Sequence, residues 1–184
     1  MDREIKEAFI KSKSKDKQES YEAYQYILQA TEKQVDWAYE VWDDLLDDLT
    51  DKDNHQRSRS AQYLANLAKS DPENRMLTDL PRLWEVTKDE KFVTARHSLQ
   101  SFWKVGLGGA EQKDLVMEFM AERFKKGIDE KNHTLIRFDI LQNMKQLYNQ
   151  LDDEAIKQTA MDLIETVKDD KYKKKYKTIW KMKI

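Results

Sequence analysis

The chain has 184 residues, 39% of them apolar and 37% charged, and a net charge of only −2. Aromatic residues reach 10% and tryptophan occurs five times, a content that excludes a disordered polyelectrolyte. Four glycines and two prolines are too few for a strand-and-turn protein, and the lack of cysteine excludes disulfides and thiolate metal sites.

Two helices open the chain, one near 2–11 and a stronger one near 18–32 carrying Tyr21, Tyr24, Ile27 and Leu28. Ser12-Lys13-Ser14-Lys15-Asp16 connects them, and residues 1–33 read as N-terminal capping helices. From residue 34 onward the pattern repeats. Asp89-Glu90-Lys91, Asp129-Glu130-Lys131 and Asp169-Asp170-Lys171 start 40 residues apart. The apolar residues keep the same offset in Met76/Val116/Ile156, Leu80/Met120/Ala160 and Trp84/Phe124/Ile164. Members of one unit are four residues apart and so share one face of a helix. An earlier unit, ending at Asp51-Lys52, adds Ala38, Trp42 and Leu46 to the stripe.

A second helix follows each acidic turn, opening near Arg57, Arg96 or Arg137. Seven residues beyond each arginine lie Leu64, Trp103 and Met144, and ten beyond lie Leu67, Gly106 and Leu147. The expected hairpins pair 34–49 with 53–70, 74–88 with 91–106, 111–127 with 132–149, and 153–168 with 171–182. The units are then 34–70, 74–106, 111–149 and 153–183, all in one continuous domain with the first 33 residues. Breakers separate them: Ser70-Asp71-Pro72, Gly106-Leu107-Gly108-Gly109, and Asn149 to Asp153.

Leu80-Pro81-Arg82-Leu83-Trp84, followed by Asp89-Glu90 and then Val93-Thr94-Ala95-Arg96, resembles the HEAT repeat of armadillo-like α-solenoids. The third unit keeps Asp129-Glu130 and Arg137 but lacks the proline; the fourth keeps Asp169 and has lysine for arginine. Over roughly residues 34–183, the resemblance implies an all-α, right-handed α-α superhelix of about four helical hairpins, but not an activity. An acid at the turn is placed to cap the second helix. The arginine one turn in is placed to reach a neighbouring unit's acid, so Asp89, Arg96, Asp129 and Arg137 are expected to form a ladder. An anion site at these arginines is the alternative.

Several residue groups invite a chemical reading. His55, His97 and His133 are spread over different units and form no His-x-x-x-His or His-Glu pair, so no shared metal ion is expected. Residues 36–53 hold eight acids against Lys52 alone. Within them Asp43/Asp47 and Asp44/Asp48 have the spacing of helical neighbours, suited to a hard cation, to acid–base work, or simply to a solvated outer face. Trp42, Trp84, Trp103 and Trp180 occupy core positions, while Trp37 is free to be exposed. Residues 168–184 hold eight lysines against Asp169 and Asp170, as the polar face of a terminal unit or a surface for anionic polymers.

In the family pattern the second helices line a concave groove. The groove residues expected here are Arg59, Gln62 and Tyr63; His97, Gln100, Ser101 and Lys104; and Phe138, Gln142 and Lys145. The leading expectation is a non-enzymatic scaffold or adaptor that binds a protein or peptide there and needs no cofactor. The alternative is a nucleic-acid-directed protein related to the alkylpurine DNA glycosylases, which also stack HEAT-like hairpins and could use Trp42-Asp43. A third is an enzyme with an acidic site at Asp43–Asp48. No apolar run spans a bilayer and no secretory pattern follows Met1, so a cytoplasmic location is expected.

Overall fold

The structure, a computed structural model, describes residues 1–181. The expected fourth unit extends to residue 183 and its last helix to 182; residues 182 and 183 lie outside the described residues. Among those described there is no strand, and the α-helices are α1 (Arg3–Lys11), α2 (Lys17–Ala30), α3 (Trp42–Asp48), α4 (Asn54–Leu67), α5 (Met76–Val86), α6 (Phe92–Ser101), α7 (Ala110–Lys126), α8 (His133–Leu151), α9 (Glu154–Glu165) and α10 (Asp170–Lys177).

Aspartate starts most of these helices. Asp2, Asp16, Asp53, Asp153 and Asp169 each accept a hydrogen bond from a backbone N–H of the first turn, satisfying donors that the helix itself leaves free. Asp89 accepts from Lys91 N at 2.8 Å and supports the start of α6 in the same way. The third unit differs. Asp129 belongs to a 3₁₀ turn (Gly127–Asp129) and is exposed, and α8 starts from Asn132 in the left-handed conformation with no side-chain cap.

Two helices are shorter than the periodicity implies. The helix expected over 34–49 occupies only 42–48, after a 3₁₀ turn at Ala38–Glu40. Val35 N is instead held by Ser70 Oγ at 2.9 Å, so residues around it serve the neighbouring helix end rather than a helix of their own. The helix expected over 91–106 changes to 3₁₀ winding at Phe102–Gly108. Gly106 breaks the apolar pattern because a Cβ there would meet both Leu147 methyls at 3.0 Å. A Cβ at Gly108 would meet the Ala68 carbonyl oxygen at 2.7 Å, so this residue admits a close backbone approach.

The helices pair as α1/α2, α3/α4, α5/α6, α7/α8 and α9/α10. The first helices α3, α5, α7 and α9 touch in succession, and so do the second helices α2, α4, α6, α8 and α10. Between these two rows lies the core. Met76, Val116 and Ile156 are at most 2% exposed, as are Leu80, Met120 and Ala160. Burying each large aliphatic side chain contributes about 1.5–3 kcal/mol relative to leaving it in water. Polar groups also join units at about one period. Asn54 Nδ2 donates to Thr94 Oγ1 at 3.1 Å, Trp103 N to Asn143 Oδ1 at 3.0 Å, and Lys113 Nζ to Asp153 Oδ2 at 2.7 Å. No helix among the described residues is long and apolar enough to cross a membrane.

Candidate binding face on the second helices

The arginine ladder takes a different path from the expected one. Arg57 grips Asp89 with two bonds, Nε to Oδ2 at 2.6 Å and Nη2 to Oδ1 at 2.9 Å, while its Nη1 donates to the Asp51 carbonyl. Arg96 passes over Asp129 and grips Asp139 on α8, at 2.9 and 3.3 Å. Arg137 pairs with no carboxylate among the described residues: its Nε donates to the Phe124 carbonyl at 2.8 Å and its guanidinium covers the Phe124 ring. The Asp89–Arg96–Asp129–Arg137 ladder therefore does not form. The exposed 3₁₀ turn carries Asp129 away from Arg96, and Asp139 takes its place.

The expected groove residues separate into three groups. Arg59 and Tyr63 lie against the N-terminal helices. Arg59 Nη1 donates to the Ser12 carbonyl at 2.7 Å and to Ser20 Oγ, and its guanidinium covers the Tyr24 ring. Tyr63 is only 2% exposed, stacked edge-on against Phe9, so it is interior and offers no groove surface. The α1/α2 hairpin covers this end of the α4 face, which the sequence pattern did not reveal. Gln62, beside them, accepts a bond from Tyr24 Oη at 2.8 Å.

A middle group gathers on α6, the following 3₁₀ segment and α8. His97 and Gln100 are exposed, with Gln100 Nε2 reaching toward Asp139 Oδ1 at 3.5 Å. Ser101 Oγ donates to the Ser98 carbonyl at 3.0 Å. Lys104 is half-buried and donates to Asn66 Oδ1 at 2.7 Å. Burial pushes its pKa below the usual lysine value; Glu32 opposes this and Lys69 adds to it. Among the described residues Lys104 forms no ion pair, because Glu32 stays beyond contact range. Asn66 Nδ2 in turn donates to Thr31 Oγ1 at 2.9 Å, so the amide that receives the lysine is itself held rigidly.

A distal group lies toward the C-terminal unit. Lys145 Nζ rests 4.8 Å from the Tyr148 ring centre and 5.0 Å from that of Trp180. Phe138 is half-buried beneath Lys175, and Gln142 is half-buried on the same helix. Asn66, Asp139 and Asn143, which tie the face together, were not expected. All three are at most 4% exposed. Their sequence signal was polar residues inside an otherwise apolar helical stripe.

The other candidates resolve into packing. Asp43 pairs with Arg75, Asp47 with Arg82 at 3.7 Å and Asp48 with Lys13 at 2.7 Å, so cations from both flanking elements meet the acidic helix. Among the described residues no group of three or more His, Asp or Glu side chains is placed to hold a metal ion. Trp42 is fully buried and donates Nε1 to Asp79 Oδ2 at 2.9 Å, leaving no face for base stacking. Trp37, open to exposure on the sequence, is 8% exposed because Phe9 packs edge-on against it. Trp180 Nε1 and Tyr63 Oη are buried with no hydrogen-bond partner among the described residues. No protein-family model and no curated protein sequence matches this chain.

Proposed function

We propose that the chain is a HEAT-like α-solenoid that binds an acidic protein or peptide segment across its second helices, as an adaptor rather than an enzyme. The successive contacts within each row of helices and the hydrogen bonds spaced one period apart support a stacked-repeat architecture. The observation that carries the binding reading is Lys104. A half-buried ammonium bonded, among the described residues, only to a neutral amide is an unfavourable arrangement in the free protein. A ligand carboxylate arriving there supplies the missing counter-charge. Exposed Glu32, the carboxylate whose charge acts on Lys104, makes no ion pair with it, and Asp139 on α8 is already engaged by Arg96. Lys145 and exposed His97 place further positive or hydrogen-bonding groups on the same row, and half-buried Phe138 adds an apolar contact.

The test has two stages. Affinity purification from the native cell with the wild type identifies partners. Each is then titrated calorimetrically against the wild type and a Lys104→Gln/Lys145→Gln variant. The proposal expects affinity to fall at least about tenfold, the worth of one lost charge-assisted hydrogen bond, and to weaken with salt. Equal affinities for the two proteins would remove Lys104 and Lys145 from the site. Duplex DNA bound more tightly than any recovered protein, with a steep salt dependence, would replace the peptide reading with a nucleic-acid one.

A further inference from the structure

A cavity of about 740 Å³ lies where the turns of the last two units meet, and none of the groove residues named above lines it. Its size is within the range of small-molecule sites. Lys125, Arg137, Lys168 and His133 line it, with Tyr172 on one wall and Asp169 the only carboxylate among the described residues that line it. Three full positive charges thus face one negative charge, and Asp169 Oδ1 is occupied by the backbone N–H groups of Lys171 and Tyr172. The nearby Glu130 is held by Arg123 at 2.8 Å.

Arg137 is the informative residue. The arginines at the equivalent place in the two preceding units show what a guanidinium takes there. Arg57 holds both oxygens of Asp89, and Arg96 holds both oxygens of Asp139. Arg137 is held in place by the Phe124 carbonyl at 2.8 Å and the Phe124 ring 4.7 Å away. Yet its Nη1 and Nη2 make no hydrogen bond among the described residues. A planar, pre-positioned pair of donors with no oxyanion is suited to a carboxylate or phosphate from outside. Lys125 and Lys168 are both exposed and take part in no ion pair among the described residues, so two further cations are available to a dianion.

We infer that this cavity binds a phosphate group, with Arg137 as the fixed fork and Lys125 and Lys168 as mobile counter-charges. The site shares no residue with the proposed peptide site, so the two are tested separately. A phosphomonoester carries close to two negative charges at neutral pH, matching the excess of cations better than a single carboxylate does. Tyr172 and Ile128, which also line the cavity, offer apolar surface to the group that bears the phosphate.

The probe is inorganic phosphate, titrated into the full chain and followed by two-dimensional amide NMR and thermal unfolding. Sodium chloride and sodium acetate at matched ionic strength run in parallel. Phosphate is expected to raise the melting temperature above either salt, with saturable shifts concentrated at His133, Thr134 and Lys168. Lys125→Gln/Lys168→Gln should weaken phosphate binding about tenfold. Among the described residues neither lysine side chain makes a hydrogen bond or an ion pair, so this variant keeps the test sound if Arg137→Gln, which also loses the Phe124 contacts, unfolds. Lys52→Gln/Lys91→Gln removes equal charge from other turns and should change nothing. Phosphate behaving like chloride, acetate binding more tightly than phosphate, or equal weakening by the two lysine pairs would each overturn the inference.

Discussion

Replacing Asp89 and Asp129 separately by alanine distinguishes the repeat as written from the repeat as folded. The two aspartates hold the same place in the same tripeptide, 40 residues apart. Asp89 has a side chain only 7% exposed and forms a two-bond grip with Arg57. Removing one partner of such a buried pair costs about 3–5 kcal/mol. Arg57 keeps 15% exposure and its bond to the Asp51 carbonyl, which favours the low end, about 3 kcal/mol. Loss of the bond from Lys91 N adds about 1 kcal/mol. Asp129 is exposed and makes no such bond, so Asp129→Ala should stay within about 0.5 kcal/mol of wild type.

Urea denaturation followed by circular dichroism reads the difference. At a slope of about 2 kcal/mol per molar, Asp89→Ala should lower the midpoint by about 2 M while Asp129→Ala leaves it nearly unchanged. The effect also has a pH signature. Burial disfavours ionisation of Asp89, but the Arg57 guanidinium and the Lys91 amide outweigh it and hold its pKa below the ordinary value of 3.8. Its contribution is therefore complete above that ordinary value and is lost as the pH falls through the folded-state pKa. The gap between wild type and Asp89→Ala should narrow in strong acid. Equal midpoint shifts for the two variants at neutral pH would refute the reasoning.

Three further outcomes follow from the packing. Gly108→Ala should cost more than Gly106→Ala, about 2–3 against about 1 kcal/mol, because the first meets a backbone oxygen and the second the ends of a flexible leucine; thermal unfolding orders the two, and the reverse order would contradict the geometry. Burial lowers the Lys104 pKa from 10.5, so its unfavourable charge burial is fully present below the folded-state pKa and relieved as the pH rises through that pKa toward 10.5; wild-type stability relative to Lys104→Met should rise over that window, and a flat difference would argue against it. Asp43→Asn/Asp47→Asn should cost less than about 1 kcal/mol, as exposed ion pairs do. Millimolar magnesium should change neither protein's melting temperature, and selective stabilisation of the wild type would restore the acidic-site reading.

Helix positions and apolar stripes were readable because helical burial imposes a spacing that a single chain displays. Met76, Leu80 and Trp84 recur as Val116, Met120 and Phe124, and all six are buried. The turn acid was readable as a helix cap at Asp169, where the bond is local; in the first unit the cap is Asp53, two residues beyond the Asp51 that the repeat marks. The groove was less legible. Tyr63 has the spacing of a surface position, yet the α1/α2 hairpin covers it, and no local pattern announces which face an unrelated hairpin will occupy.

The 40-residue period, the all-helical class and the identity of the core stripe are properties of the sequence itself, since each follows from short-range periodicity and propensity. The partners of the three repeated arginines are not. Arg57, Arg96 and Arg137 read alike, but one holds the next turn's acid, one an aspartate on the next second helix, and one a ring and a carbonyl. That choice depends on where the neighbouring unit sets its carboxylates, and in the third unit a 3₁₀ turn leaves Asp129 exposed. Ion pairing falls off with distance, and only the assembled stack determines which guanidinium is left with donors to offer.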